Sequence, residues 1–234
     1  MNMTQGTVRR TSGSSKTQVQ KIQPGQAADK PYHHGSLPQA LLDAAEVVLR
    51  RDGMRGLTLR AISREAGVSH TAAQHHFGDM SGVLSELAAS GHRRLVSALA
   101  TATEHVKPLQ ARRRAMARAY VTFAAENADL FRLMSRNELL DGTRPALLEA
   151  RQTTTRALAD LYGVSTSGSN EHVQPDAKQA IAMTAAWAYV HGLASLLIDG
   201  RLNVLAKAAD GVGTPEDLVV SAIEHVRLCP DWLE

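Results

Sequence analysis

Apolar residues recur at three- and four-residue spacing along almost the whole chain after residue 36. This spacing places them on one face of an α-helix. The first such stripe consists of Leu37, Leu41, Ala44, Ala45 and Val48. Alanine and leucine, which favour helices, are abundant, whereas the aromatic residues that favour strands make up only 4% of the chain. The sequence therefore predicts an all-α protein of about nine helices.

The predicted helices are separated by short breaks. The first runs from Leu37 to about Asp52, with Ser36 and Gln39 at capping-box spacing and Gly53 as its C-terminal cap. Two short helices follow, and then a long one from about Met80 to Val106, since Lys107 precedes a proline. Beyond Pro108 the predicted helices are 109–126, 128–136, 143–162, 174–199 and 214–229.

The net charge of +3 is unevenly distributed. Residues 1–30 carry five basic side chains against Asp29 and have little apolar surface, so we expect a disordered basic tail. They contain no apolar run, which argues against a signal peptide. Cys229 is the only cysteine, so no intrachain disulfide can form. These features together predict a cytoplasmic protein.

One stretch has the length and composition of a membrane span. Residues 179–198 contain no Asp, Glu, Lys or Arg over twenty positions, which is about the length that a span needs. However, Gln179, Thr184 and His191 are polar residues within it. We therefore expect a buried or interface helix and no membrane partner.

Residues 58–77 contain the signals of two short helices joined by a tight turn. Thr58 and Ser69 are good N-caps, and Gly67 tolerates the turn conformation between them. Ser63 provides a small residue where the two helices cross. The apolar anchors of the pair are Ile62, Val68, Ala73 and Phe77. This pattern predicts a helix-turn-helix, whose second helix enters the major groove of DNA.

Residues 37–95 resemble the DNA-binding domain of TetR-type transcriptional regulators. The matching residues are Leu41-Leu42-Asp43-Ala44-Ala45, Gly53, Leu57-Thr58-Leu59-Arg60, Ala66-Gly67-Val68-Ser69 and His76-Phe77, preceded by the leader Tyr32-His33-His34-Gly35-Ser36-Leu37. Downstream, Ala186-Trp187 and Val190-His191-Gly192 resemble the tryptophan–histidine–glycine (WHG) signature of one C-terminal subfamily.

The resemblance implies a homodimer, with residues 31–95 as the helix-turn-helix DNA-binding domain. Residues 96–234 would form a helical domain for dimerisation and for binding a small-molecule effector. The resemblance also implies that helices 174–199 and 214–229 form the dimer interface and that the protein is a repressor. Its DNA partner would be a palindromic operator in double-stranded DNA.

Exposed positions on the second helix of the pair are the candidate base contacts. His70, Thr71 and Gln74 lie near its start, where side chains reach base edges. Helix N-termini attract phosphate, which makes Thr58 and Ser69 candidates for backbone contacts. The complete predicted DNA-binding set is Thr58, Arg60, Ser69, His70, Thr71, Gln74, His75 and His76.

Two positions depart from the family pattern. Gln74 stands where the family usually has tyrosine, and Met80 stands where it usually has lysine. Both usual residues commonly contact phosphate, and the loss of a lysine contact makes the affinity fall less steeply with salt. An alternative therefore stays open: a helical ligand-binding or interaction protein whose helix-turn-helix has lost DNA binding.

The sequence contains no motif that is typical of an enzyme or of a metal site. The chain has no GxSxG, P-loop or GxGxxG segment, and its acidic residues show no catalytic pairing. His75 and His76 are adjacent, so on a helix they point about 100° apart and do not ligate one metal easily. We expect no cofactor, no metal and no enzymatic activity.

The middle helices carry apolar and aromatic residues suited to an effector cavity, although the same spacing also fits a plain core. This set consists of Met116, Tyr120, Phe123, Phe131, Met134, Met183, Trp187 and His191. Among them, Trp187 is more typical of a core residue, and His191 of a buried, hydrogen-bonded histidine.

Overall fold

The computed structural model describes Met1 and residues 37–164 and 174–226, and these ranges contain helices and no strand. In chain order the helices are α1 (Leu37–Gly56), α2 (Leu59–Ala66), α3 (His70–Phe77), α4 (Met80–Thr103), α5 (Leu109–Glu126), α6 (Ala128–Met134), the short 3-10 helix η1 (Asn137–Leu139), α7 (Pro145–Asp160), α8 (Ala177–Ile198), α9 (Asn203–Ala208) and α10 (Pro215–His225). The predicted all-α class is confirmed. The predicted tail 1–30, Ser36 of the predicted capping box and Cys229 lie outside the described residues.

Local capping fixes the ends of the short helices as the sequence predicts. The hydroxyl of Thr58 accepts from the Ala61 N–H at 3.1 Å, and the hydroxyl of Ser69 accepts from the Ala72 N–H at 3.2 Å. Gly53 has a φ of 65°, and the helix resumes after it to Gly56. The predicted end of the first helix is thus a kink within α1.

Several helix boundaries differ from the predictions, such as the end of α10 at His225 rather than at 229, and one helix was not predicted. Helix α4 ends at Thr103 rather than near Val106, because the Val106 N–H bonds to the Thr103 carbonyl and tightens the last turn. Helix α9 lies where the sequence predicted only a break between Gly200 and Gly213. It is six residues long, too short for periodicity to reveal, and is held by the burial of Ala206.

Helix α4 is the element that joins the N-terminal helices to the rest of the fold. It packs against α1 and α3 and also against α5, α6 and α7. Val83 and Leu87 are buried in its first half, and Leu95 and Leu99 in its second half. One continuous helix therefore contacts both the helix-turn-helix and the C-terminal bundle.

Helix α8 is long and apolar enough, by length and composition alone, to cross a membrane. One such helix is weak evidence, since helices of folded bundles pass the same test. In this fold α8 packs against α5 and α10 and buries Ala182, Ala186, Val190 and Ala194.

Candidate functional sites

The turn between α2 and α3 is fixed by backbone hydrogen bonds. Gly67 is left-handed, with a φ of 70°, and its N–H donates to the Arg64 carbonyl. The Val68 N–H donates to the Ser63 carbonyl at 2.9 Å. Ser63 itself is buried, as the small residue of the predicted crossing. Together with the buried Ile62, these contacts hold the two helices at a set angle.

The surface of this helix pair is polar and open. All eight predicted DNA-binding residues are exposed: Thr58, Arg60, Ser69, His70, Thr71, Gln74, His75 and His76. The opposite side of α3 is anchored by the buried Ala73 and Phe77. Helix α3 therefore presents one face to solvent along its whole length, and no described residue covers it.

Arg144, at the start of α7, ties the end of α3 to α4. Its guanidinium donates to the Phe77 carbonyl and lies 3.5 Å from the Glu86 carboxylate. A cation at a helix C-terminus is favourable because of the helix dipole. The contact needs Gly82, because a Cβ there would lie 1.9 Å from the Phe77 oxygen. Sequence reasoning missed Arg144, since nothing local distinguishes it from a solvated arginine.

A cavity of about 740 Å³ lies among α4, α5, α6, α7 and α8. Ligand sites typically measure about 300–1,000 Å³. Seven of the predicted effector residues line it: Met116, Tyr120, Phe131, Met134, Met183, Trp187 and His191. Phe123 does not line it, because its side chain is buried in the core on another face of α5.

One wall of the cavity is aromatic. Tyr120 Oη lies 2.9 Å from Nδ1 of His191, and Phe131 packs edge-on against Tyr120 at 5.4 Å between ring centroids. Burial raises the pKa of Tyr120 to about 12 and lowers the pKa of His191. The phenol therefore donates to a neutral imidazole. Trp187 is 55% exposed and so lies at the rim, not in the core as its type suggested.

A second part of the lining, which we call the polar rim, consists of His92, Ser135, Asn137, Arg151, Thr154 and Thr155. The Thr154 hydroxyl donates to the Ala150 carbonyl, so His92 Nδ1, at 3.1 Å, donates to Thr154 Oγ1. Burial, and secondarily the charge of Arg151, lower the pKa of His92 to about 4. His92 is therefore neutral at physiological pH.

Sequence reasoning also missed the two arginines of the cavity. Arg113 is only 4% exposed and donates from Nε and Nη2 to the Leu161 carbonyl at 3.2 and 3.0 Å. It lies in the run Arg112-Arg113-Arg114, which resembles a solvated face. Arg151 is half-buried and donates to Asn137 Oδ1 at 2.6 Å. Neither has a local sequence signal, because their placement depends on how α5 and α7 pack.

The outer side of α8 is an apolar face with no described partner. Ile181 is 59% exposed and Leu196 38%, and the small residues Ala185 and Ala188 lie exposed between them. Val220 of α10 is also exposed. An exposed apolar face with small residues at its centre is typical of a protein–protein contact.

Two family models match the chain. "Bacterial regulatory proteins, tetR family" matches residues 41–87, which include α2 and α3. "Tetracyclin repressor-like, C-terminal domain" matches residues 113–214, which include most of α5 and all of α6 to α8. No curated protein matches the chain. The C-terminal model does not test the WHG subfamily, which stays a prediction.

Several solved structures are similar to this one. A protein with unknown function from Rhodococcus sp. RHA1 is 35% identical, with a TM-score of 0.63, covering 83% of this chain and 94% of that one. The TetR family transcriptional regulator PfmR from Thermus thermophilus is 19% identical, with a TM-score of 0.54, covering 79% and 94%. A bacterial regulatory protein in the tetR family from Rhodococcus RHA1 is 18% identical, with a TM-score of 0.54, covering 80% and 93%.

The matches and the geometry agree. The N-terminal match covers the exposed helix pair, and the C-terminal match covers most of the cavity. The two named regulators, at under 25% identity, support the fold alone. The chain belongs to the TetR family of helix-turn-helix transcriptional regulators.

Proposed function

We propose that this protein is a cytoplasmic homodimeric repressor that a small-molecule effector releases from its operator. Residues 31–95 bind the DNA, and residues 96–234 bind the effector and form the dimer. The observation that carries this proposal is the link between the two sites: Arg144 holds the end of α3, and its helix α7 also lines the cavity.

The exposed face of α3 reads the operator. His70, Thr71 and Gln74 contact base edges, since glutamine pairs with adenine and threonine contacts thymine methyl groups. Phosphates are bound near the N-termini of α2 and α3, at Thr58 and Ser69. The remaining phosphate contacts come from Arg60, His75 and His76.

A dimer through α8 and α10 supplies the symmetry that a palindrome requires. The exposed apolar face around Ile181 and Leu196 becomes buried when a second copy packs on it. The two α3 helices then enter successive major grooves, about 34–36 Å apart. An effector that changes the packing of α7 against α4 moves Arg144 and therefore the end of α3.

Selection of genomic fragments by the effector-free protein, followed by sequencing, tests the proposal. We expect one palindrome to be enriched. The double variant His70→Ala, Thr71→Ala should lose the enrichment. The matched double variant Thr101→Ala, His105→Ala, exposed at the far end of α4 and just beyond it, should keep it.

Failure to enrich any sequence at low salt would contradict the proposal that this protein is a DNA-binding repressor. It would favour the alternative of a ligand-binding protein whose helix-turn-helix has lost DNA binding. Met80 favours that alternative, because its side chain packs partly against the core where a lysine would offer charge to DNA.

A further inference from the structure

The charges that line the cavity are of one sign. The described lining residues include Arg113 and Arg151 and contain no Asp, Glu or Lys. A buried ammonium group needs a counter-charge, because burying an unpaired charge is costly. The described lining has no carboxylate that could pair with a cationic ligand, but it has guanidinium groups that could pair with an anionic one.

The two arginines have different roles. Arg113 bonds through two of its nitrogens to the Leu161 carbonyl, and its guanidinium lies 4.9 Å from the centroid of the Tyr162 ring. It therefore holds α5 against the segment that follows α7. This leaves Arg151 as the arginine at the polar rim.

Arg151 is charged and placed for a ligand. Its hydrogen bond to Asn137 goes to a neutral amide, and no described carboxylate forms an ion pair with it. Glu138, the acid next to Asn137, pairs instead with Arg136 at 2.8 Å. Because a guanidinium has five N–H donors, the bond to Asn137 leaves Arg151 able to hold a carboxylate through two more.

The side chains around Arg151 carry no charge. The hydroxyls of Ser135, Thr154 and Thr155 donate to backbone carbonyls of their own chain segments. His92 donates to Thr154 and carries no charge at neutral pH. Arg151 is therefore the cation of the polar rim.

The rest of the cavity is suited to an apolar body. The aromatic wall of Tyr120, Phe131 and Trp187 meets methionine and leucine side chains from α4 to α8. We infer, on the basis of the proposed function, that the effector is an amphipathic monocarboxylate whose carboxylate binds Arg151 and whose apolar body packs on the aromatic wall.

Calorimetric titration of the full-length protein without DNA tests this inference. Two matched sets of probes differ only in their head group: dodecanoate, dodecanamide and dodecylamine, and biphenyl-4-acetate with its amide and the corresponding amine. We expect the carboxylate of at least one set to bind at least tenfold more tightly than its amide, and the amines not to bind. Equal binding of acid and amide, tighter binding of an amine, or no binding of either acid at millimolar concentration would overturn the inference.

Variants of α7 identify the anchor. Arg151→Gln should reduce the affinity for the carboxylate to that for the amide without changing the latter, whereas Arg151→Lys should keep the preference. The control is Arg156→Gln, on the same helix and outside the cavity lining, which should bind like the wild type. A preference for the acid that survives Arg151→Gln would contradict the assignment.

The same probes separate this inference from the proposed function. If the acid binds as expected but leaves operator binding unchanged, the inference that the ligand is a carboxylate is supported, and the proposal that an effector releases the repressor is contradicted. If the amide or the amine releases the protein from its operator and the acid does not, the proposal of effector release is supported, and the inference that the ligand is a carboxylate is contradicted.

Discussion

His92 illustrates how packing changes the chemistry of a single residue. The sequence places it in the middle of a long helix, with no signal that distinguishes it from a surface histidine. In the fold it is largely buried beside Thr154, with Arg151 close enough to lower its pKa further, to about 4. The imidazole is therefore kept neutral, and protonating it opposes folding.

The free energy of unfolding should consequently decrease as the pH is lowered from about 6.5 to about 4. The pKa of His92 is lower in the folded state than in the unfolded state, so the unfolded chain binds more protons in this window. The contribution of His92 is complete above pH 6.5 and is lost as the pH falls toward 4. At about 1.4 kcal/mol for each pKa unit, this contribution is at most about 3.5 kcal/mol.

Urea unfolding of wild type and His92→Gln at pH 7.5 and pH 4.5 measures this contribution. Glutamine can keep the bond to Thr154 but does not titrate. We expect the loss of stability on acidification to be smaller in the variant, while His105→Gln, at an exposed position after α4, behaves like the wild type. An equal loss of stability in the wild type and in His92→Gln would mean that His92 is not the titrating group.

Met80 gives a second prediction at the residue scale. It begins α4 beside the DNA-binding face, and Met80→Lys adds one cation per subunit. Each added phosphate contact steepens the dependence of log K on log salt by about 0.9, so a dimer should gain about 1.8. Binding of the enriched fragment at several salt concentrations checks this, and an unchanged slope would show that position 80 does not reach phosphate.

Element-scale features were predictable where the signal is local. Thr58, Gly67 and Ser69 act within three or four residues of themselves, so the ends of α2 and α3 follow from the sequence. The cavity could be predicted only in part, through aromatic and methionine residues at helical spacing. The polar rim and Arg113 could not, because polar residues on a helix look solvent-exposed until a second helix packs against them.

The contact of Arg144 with the end of α3 yields a prediction for that element. Arg144→Met removes a charged donor from the Phe77 carbonyl, an interaction of about 1.5–3 kcal/mol. Local opening of α3 should become easier by a comparable amount, which lowers amide protection about tenfold or more.

Hydrogen exchange of peptides from residues 68–80 measures this opening. Arg144→Met should exchange faster there than the wild type. Arg156→Met, farther along α7, should not, and unchanged protection in Arg144→Met would rule out the proposed link between the cavity helix and α3.

At the scale of the whole molecule, the exposed apolar side of α8 is the surface that we propose as the dimer interface. The helix is apolar all round, yet only one side of it packs within the subunit. Its exposed side, with Ala185 and Ala188 between Ile181 and Leu196, allows close approach of a second helix. The sequence predicts a dimer interface here only through its family resemblance, since apolar residues that pack on a second copy have the same helical spacing as residues of the core, and the interface stays a prediction.

The double variant Ile181→Lys, Leu196→Lys should therefore be monomeric. Two like charges per subunit would be buried without partners at the interface. Light scattering at micromolar concentration should give twice 25.2 kDa for the wild type and 25.2 kDa for the variant. Val204→Lys, at a 79% exposed position on α9, should remain dimeric, and a monomeric wild type would remove the basis for palindrome binding.

Sequence-specific DNA binding is the central claim, and its most direct measurement is an affinity ratio. The ratio compares the enriched palindrome with a scrambled duplex of the same composition at one fixed salt concentration. We expect the wild type to bind the palindrome at least about 10³-fold more tightly, as specific DNA-binding proteins do. His70→Ala with Thr71→Ala should bring the ratio close to one. A wild-type ratio within tenfold of one would contradict the account.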